Sequence, residues 1–249
     1  MKILGIDTST LTSGIAVVDD GKVLAEARHD ASAHKSDLLV AIDDVCKRAG
    51  VVPMELDAIA VGAGPGSFTG LRIGMATAKG IAFAAGKPLW AVSSLAALAY
   101  GFLLERRRDH VFGPGQVMAV LDARKNEVYA GLYEWIDLPA LRFRLVGEER
   151  VLPPADLGGW FESLTQLVGG PKPESVGDAL ASYPEALAEW KPYWDEAMTT
   201  PSGAAVALLA LAGARVDVVT GGAPTYIRKA EAEVMYPDGV PGALRRRDP

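Results

Sequence analysis

The chain opens with three runs whose hydrophobic pattern reads as strands. Lys2 to Ile6 is apolar and ends in Asp7-Thr8-Ser9-Thr10, Gly14 to Val18 is apolar again, and Val23 to Arg28 alternates with a period near two. Asp20-Gly21 suits a two-residue type I′ turn, so the three runs form a meander. From Asp37 to Ala49 the apolar residues Leu38, Leu39, Ile42, Val45, Cys46 and Ala49 recur at helical spacing. Ser36 is placed to cap that helix and Gly50 to stop it. Leu56 to Ala63 is a near-continuous apolar run of the kind buried on both faces of a sheet. A glycine-rich loop then leads into a helix from Leu71 to Ala85, closed by Gly86-Lys87-Pro88.

A similar beginning recurs. Val117 to Leu121 reads as a strand ending in Asp122, with a turn over Ala123 to Asn126. Glu127 to Trp135 is the second arm of a hairpin and Arg142 to Glu148 a third strand. Helices fit Asp156 to Val168 and Ser202 to Ala214, with a short strand near Ser175 to Gly177. Alternating strands and helices place the chain in the α/β class, and the repeated pattern suggests two related lobes. The expected division is a first lobe over 1–105, with the helix at 201–215 packing back onto it, and a second lobe over 106–200. Residues 216–249 show no element and read as a tail.

Composition narrows the setting. Of the 249 residues 49% are hydrophobic and 22% charged, enough apolar material for a core. The opening residues lack the pattern of a secretory signal, and the longest apolar stretch, Ala204 to Ala214, is about half a bilayer span. With Cys46 as the only cysteine, no intramolecular disulfide forms, and a cytoplasmic location away from membranes is expected. A net charge of −6 argues against an independent nucleic-acid binder, whose affinity would rest on neutralising phosphates.

Two segments carry candidate chemistry. Asp7, Thr8, Ser9 and Thr10 resemble the Asp-x-Gly-Thr phosphate loop of actin-like and hexokinase-like phosphotransferases, with amides and hydroxyls as donors. The other reading is a turn closed by its own hydroxyls. Gly62-Ala63-Gly64-Pro65-Gly66-Ser67-Phe68-Thr69-Gly70 lets the backbone approach an anion or another chain closely, or simply joins a strand to a helix. It lacks the Gly-Lys-Ser/Thr of a Walker loop and the Gly-x-Ser-x-Gly of a nucleophile elbow. His29, His34 and His110 are scattered without ligand spacing, and nothing local pairs Cys46 or a serine with a base. The clusters Glu105-Arg106-Arg107-Arg108-Asp109 and Arg245-Arg246-Arg247 read as a solvated helix end and a solvated tail.

Asp57 to Gly74, Leu121 to Ala130 and Pro224-Thr225-Tyr226-Ile227-Arg228, together with Ile6 to Thr10, resemble the TsaB family, spread over most of the chain in the right order. The resemblance implies a two-lobed actin-like and hexokinase-like (ASKHA) fold, a ribonuclease H-like duplicated βββαβα. It implies a non-catalytic subunit required for N6-threonylcarbamoylation of the adenosine next to the anticodon of tRNAs. The implied partners are a TsaD-type transferase and a TsaE-type ATPase. ATP and an iron or zinc ion are implied for those partners, with no cofactor of the chain's own and tRNA met mainly through the complex. TsaD-type proteins carry two metal-binding histidines four residues apart on one helix. Here Ser94 and Leu98 fall at those positions, so no metal site is expected. The Asp7 loop then reads as a vestigial phosphate loop. The main rival is an actin-like small-molecule kinase or ATPase.

The partner surface is expected on the two helices of the first lobe. Gly70, Gly74, Ala78, Ala82 and Gly86 recur every four residues, a small-residue stripe along which another helix could pack, with Met75 beside it. Leu38, Ile42, Val45 and Cys46 supply the other helix's apolar face, and a homodimer through the same helices is the alternative association. On this reading Gly74→Ala leaves the free chain's stability unchanged or raises it.

Overall fold

Helices and sheets alternate as stacked layers in the computed structural model, which describes residues 1–30, 37–110, 113–136, 142–168 and 171–217. The first sheet begins with the expected meander of β1 (Lys2–Asp7), β2 (Thr12–Asp19) and β3 (Lys22–Asp30). It continues with β4 (Ala58–Gly62) and β5 (Leu89–Val92), both parallel to β1, and a two-residue edge strand β11 (Val216–Asp217). The order is β11-β5-β4-β1-β2-β3. β11 is a difference from the sequence reading, which gave no element from Val216 onward. Residues 218–249, with Pro224 to Arg228 and Arg245 to Arg247, lie outside the described residues, as do Ser36 and His34.

The second sheet repeats the meander in β6 (Gly115–Arg124), β7 (Glu127–Ile136) and β8 (Arg142–Leu152). It adds β9 (Glu174–Val176) and the short β10 (Trp194–Asp195), both parallel, in the order β10-β9-β6-β7-β8. The duplicated pattern is that of a two-lobed actin-like fold. Period-two alternation assigns each side chain to a layer. Leu4, Ile6, Ile59 and Val61 face a core under α1 (Asp37–Ala49) and α2 (Phe68–Ala85). Ile3, Ala58 and Ala60 face the other way.

That opposite core is shared between the lobes. It joins Ile3 and Ala58 to Val117, Ala119 and Leu121 of β6 through α3 (Ser94–Arg108) and α6 (Gly203–Leu211). The far face of the second sheet packs Met118 and Val120 against α4 (Leu157–Val168) and the short α5 (Ala179–Ser182). α6 lies directly on β1 and β2, and glycine allows it. A Cβ on Gly5 would come 2.0 Å from the Gly203 carbonyl oxygen, and one on Gly203 would come 2.4 Å from the Ala16 nitrogen.

Candidate functional site

β1 delivers Asp7 to the centre of the first sheet's carboxyl end, and the chain then turns sharply through Thr8 to Thr10. Asp7 is fully buried. Its Oδ1 accepts from the Ser9 amide at 2.8 Å and from Ser9 Oγ at 2.5 Å. Its Oδ2 accepts from Ser94 Oγ at 2.7 Å, at the start of α3. Burial raises the carboxyl's pKa, and the hydrogen bonds from Ser9 and Ser94 oppose that shift. Thr8 Oγ1 donates to the Gly70 carbonyl at 2.8 Å, and Thr10 Oγ1 lies 2.8 Å from the Thr12 carbonyl. Each side chain of the sequence-predicted phosphate loop therefore bonds within the chain.

The glycine-rich loop explains the enclosure. Its close backbone approach is to the Asp7 turn: the Ser67 amide donates to the Ser9 carbonyl at 2.7 Å. α2 starts at Phe68, earlier than the pattern indicated, because Ser67 Oγ caps it by accepting from the Gly70 amide. A Cβ on Gly74 would fall 2.1 Å from Thr8 Oγ1, so the first turns of α2 lie flat against the Asp7 turn. This corrects the expected partner surface. Gly70 and Gly74 abut Thr8, and Met75, Ala78 and Ala82 are buried in the core beneath α2. Leu38, Ile42, Val45 and Cys46 are buried in the same core. An amphipathic helix covers its own sheet with its apolar stripe first, leaving other residues for a partner. The outward apolar residues include Leu39 and Val40 on α1, Val52 and Met54 just after it, and Phe68 and Phe83 on α2, Phe83 being 91% exposed.

Ser94 and Leu98 both lie on α3 and both are fully buried, Ser94 on Asp7 and Leu98 in the shared core. Among the described residues no three His, Cys, Asp or Glu side chains are grouped to hold a metal ion. No described helix is long and apolar enough to cross a membrane.

Sequence reasoning missed the ties that cross between lobes. Ser93, the N-cap of α3, donates to Glu149 Oε1 on β8, which also accepts from Tyr133 of β7. Burial raises the pKa of Glu149 and pushes that of Tyr133 well up. At the far end of α3, Arg106 Nη1 meets both carboxylate oxygens of Glu174 on β9, at 2.9 and 2.7 Å. The only local signal was the Ser93-Ser94 pair ahead of an apolar run.

In the second lobe Asp122 holds the hairpin tip. Its Oδ1 accepts from the Arg124 amide at 2.7 Å and the Tyr183 hydroxyl at 2.8 Å, and its Oδ2 from Ser182 Oγ at 2.9 Å. Arg124 Nη1 lies 3.0 Å from Oδ2, and the Asp122 amide donates to Asp178 Oδ1 at 2.8 Å. Burial, with the neighbouring Asp122 charge, raises the Asp178 pKa to about 6.

Comparison with known proteins agrees with this architecture. Residues 27–148 match the family described as TsaD, tRNA N6-adenosine threonylcarbamoyltransferase. The tRNA threonylcarbamoyladenosine biosynthesis protein TsaB of Bacillus subtilis (strain 168) is 35% identical over 167 residues, 67% of each chain. That of Escherichia coli (strain K12) is 37% identical over 134 residues, 54% of this chain and 55% of its own. The match thus spans between about half and two thirds of the length of these curated relatives. The solved YeaZ structure from Pseudomonas aeruginosa superposes with a TM-score of 0.67 at 30% identity, over 90% of this chain and 100% of its own. The chain belongs to the TsaB family.

Proposed function

We propose that the chain serves tRNA threonylcarbamoyladenosine biosynthesis as a non-catalytic subunit, docked on a TsaD-type transferase and working with a TsaE-type ATPase. The observation that carries the reading is the start of α3. Where the sister family is expected to present two histidines four residues apart, this chain buries Ser94 against Asp7 and Leu98 in the core. A hydroxyl already bonded and an isobutyl group offer no imidazole to a metal. The enclosed Asp7 weighs against the kinase alternative, because both carboxylate oxygens already have donors.

The docking face in this reading is the outer side of α1 and α2, with Leu39, Val40 and Phe83 as apolar anchors. A TsaD-type subunit suits it because this chain matches that family over residues 27–148, which includes both helices, so a like-folded partner can offer a similar helix pair. Reconstitution tests the proposal. Given threonylcarbamoyl-adenylate as the group donor, with AMP as leaving group, the chain alone should not modify an unmodified tRNA transcript, and adding the TsaD-type and TsaE-type proteins with ATP should. The double variant Leu39→Asp, Phe83→Asp should keep the wild-type melting temperature while weakening capture of the TsaD-type subunit at least tenfold. Turnover by the chain alone refutes the non-catalytic reading, and undiminished capture by the double variant refutes the docking face.

A further inference from the structure

The Leu121–Ala130 segment is left unused by this function, yet its hairpin tip is built at a cost. Arg124, Lys125 and Asn126 hold φ values of 62°, 55° and 59°, left-handed backbone in three successive residues. Asparagine tolerates that region, but arginine and lysine fit it poorly, and glycine would reverse the chain with less strain. The conformation persists because Asp122 pins it through the Arg124 amide and guanidinium, with Ser182 and Tyr183 fixing Asp122 from below. All three tip residues are exposed, Arg124 to 67%. Apart from the Arg124 pair with Asp122, glycine would reverse the chain here as readily. Strained backbone held in place by its surroundings is a mark of loops that present groups to a ligand.

We propose that the Arg124-Lys125-Asn126 tip is a contact point for RNA phosphates. The proposal rests on the reading above, in which the chain works on tRNA. The Arg124 contact to Asp122 runs through Nη1, which orients the guanidinium while its other N–H groups remain able to meet an incoming phosphate oxygen. That orientation lowers the rotamer entropy lost on contact. RNA is favoured over an acidic protein surface because the function proposed above brings tRNA to the assembly that holds this chain. A chain of net charge −6 cannot draw RNA in by a broad field, so contact must come from fixed local donors. The tip offers two cationic side chains and an amide, with the Asp122 carboxylate held behind Arg124.

The test uses the full chain in the reconstituted assembly and an unmodified tRNA transcript as probe, comparing wild type with the double variant Arg124→Gly, Lys125→Gly. Glycine relieves the left-handed positions while the pair with Asp122 is given up, so the variant should melt within a few degrees of wild type. Its tRNA affinity should fall several-fold, and the slope of log affinity against log salt should flatten by roughly one to two units, about one for each lost phosphate contact. Equal affinity and equal slope in the two assemblies would overturn the proposal. So would intact RNA binding combined with loss of the TsaD-type subunit, which would make the tip a protein contact. A wild-type assembly that holds no tRNA would instead refute the proposed function on which this rests.

Discussion

Asp7 in the first lobe and Asp122 in the second stand at equivalent places, near the carboxyl end of the first strand of a three-stranded meander. In each, Oδ1 accepts from the amide two residues further on, Ser9 in one case and Arg124 in the other. Beyond that bond the two differ. Asp7 is sealed among hydroxyls beneath the glycine-rich loop, with no cation bonded to it among the described residues. Asp122 pairs with Arg124 and is bonded by Ser182, a surface residue. One turn has been absorbed into the core, while the other stays at the surface and displays charge. A duplicated motif thus gives a structural tie in one lobe and a presentation loop in the other.

Removing the two carboxylates measures that difference most directly. Asp7→Ala strands Ser94 Oγ and the Ser9 amide without an acceptor where water has little access, so the loss should be about 3 kcal/mol. For a chain of this length that lowers the melting temperature by roughly 6–12 °C. Asp122→Ala also breaks several bonds, but solvent reaches Ser182, so roughly 1–2 kcal/mol is expected. Thermal melts of both variants decide the matter. An equal loss at the two sites would end the contrast.

α2 presses its backbone on the Asp7 turn at Gly74, whereas Ser182 and Tyr183 at the end of α5 hold Asp122 through side-chain hydroxyls, and a smaller substitution isolates the first contact. Gly74→Ala places a methyl 2.1 Å from Thr8 Oγ1, so Thr8 must rotate away and give up its bond to Gly70. Overpacking of this kind costs about 1–3 kcal/mol, against roughly 1 kcal/mol gained from helix propensity. A net fall of a few degrees is expected, opposite in sign to what the exposed-stripe reading requires. Gly80 on the same helix has open space where its Cβ would be, so Gly80→Ala should raise the melting temperature. If both substitutions stabilise the chain, α2 does not clamp the turn.

Most of the strand order was legible because alternation and turn residues are local signals. The meanders at both lobe openings, the Asp20-Gly21 turn and α1 follow from spacing alone. α3 was harder to see. Packed between the two sheets, it is buried on nearly every side from Ser94 to Leu103, so the helical period that marks a surface helix is erased. α6 is likewise apolar throughout, and only Ser202 as its cap betrays its start. The small-residue stripe on α2 was visible, but not which surface it meets. Spacing shows that residues share a face, whereas the neighbour is decided by the fold. Glu149 and Asp178 carried no sequence signal, since their burial depends on strands far apart in the chain.

Asp178 offers the smallest effect and the finest probe of the Asp122 side. Its carboxyl titrates near 3.8 in an unfolded chain and at about 6 when folded, because burial beside Asp122 disfavours its charge. Between those values the folded chain holds a proton that the unfolded chain has released. Stability from this group is therefore greatest at low pH and declines as pH rises through about 6. Asp7 and Glu149 are shifted in the same direction, so they add to the slope. Asp178→Asn keeps an oxygen for the Asp122 amide and removes the titration. Melting the wild type at pH 5 and pH 7.5 should show the higher temperature at pH 5. The variant should shrink that gap by roughly 2–4 °C, corresponding to about 1 kcal/mol. An unchanged gap would mean that Asp178 sits in water after all, and that the tip is held by Asp122 without support from the start of α5.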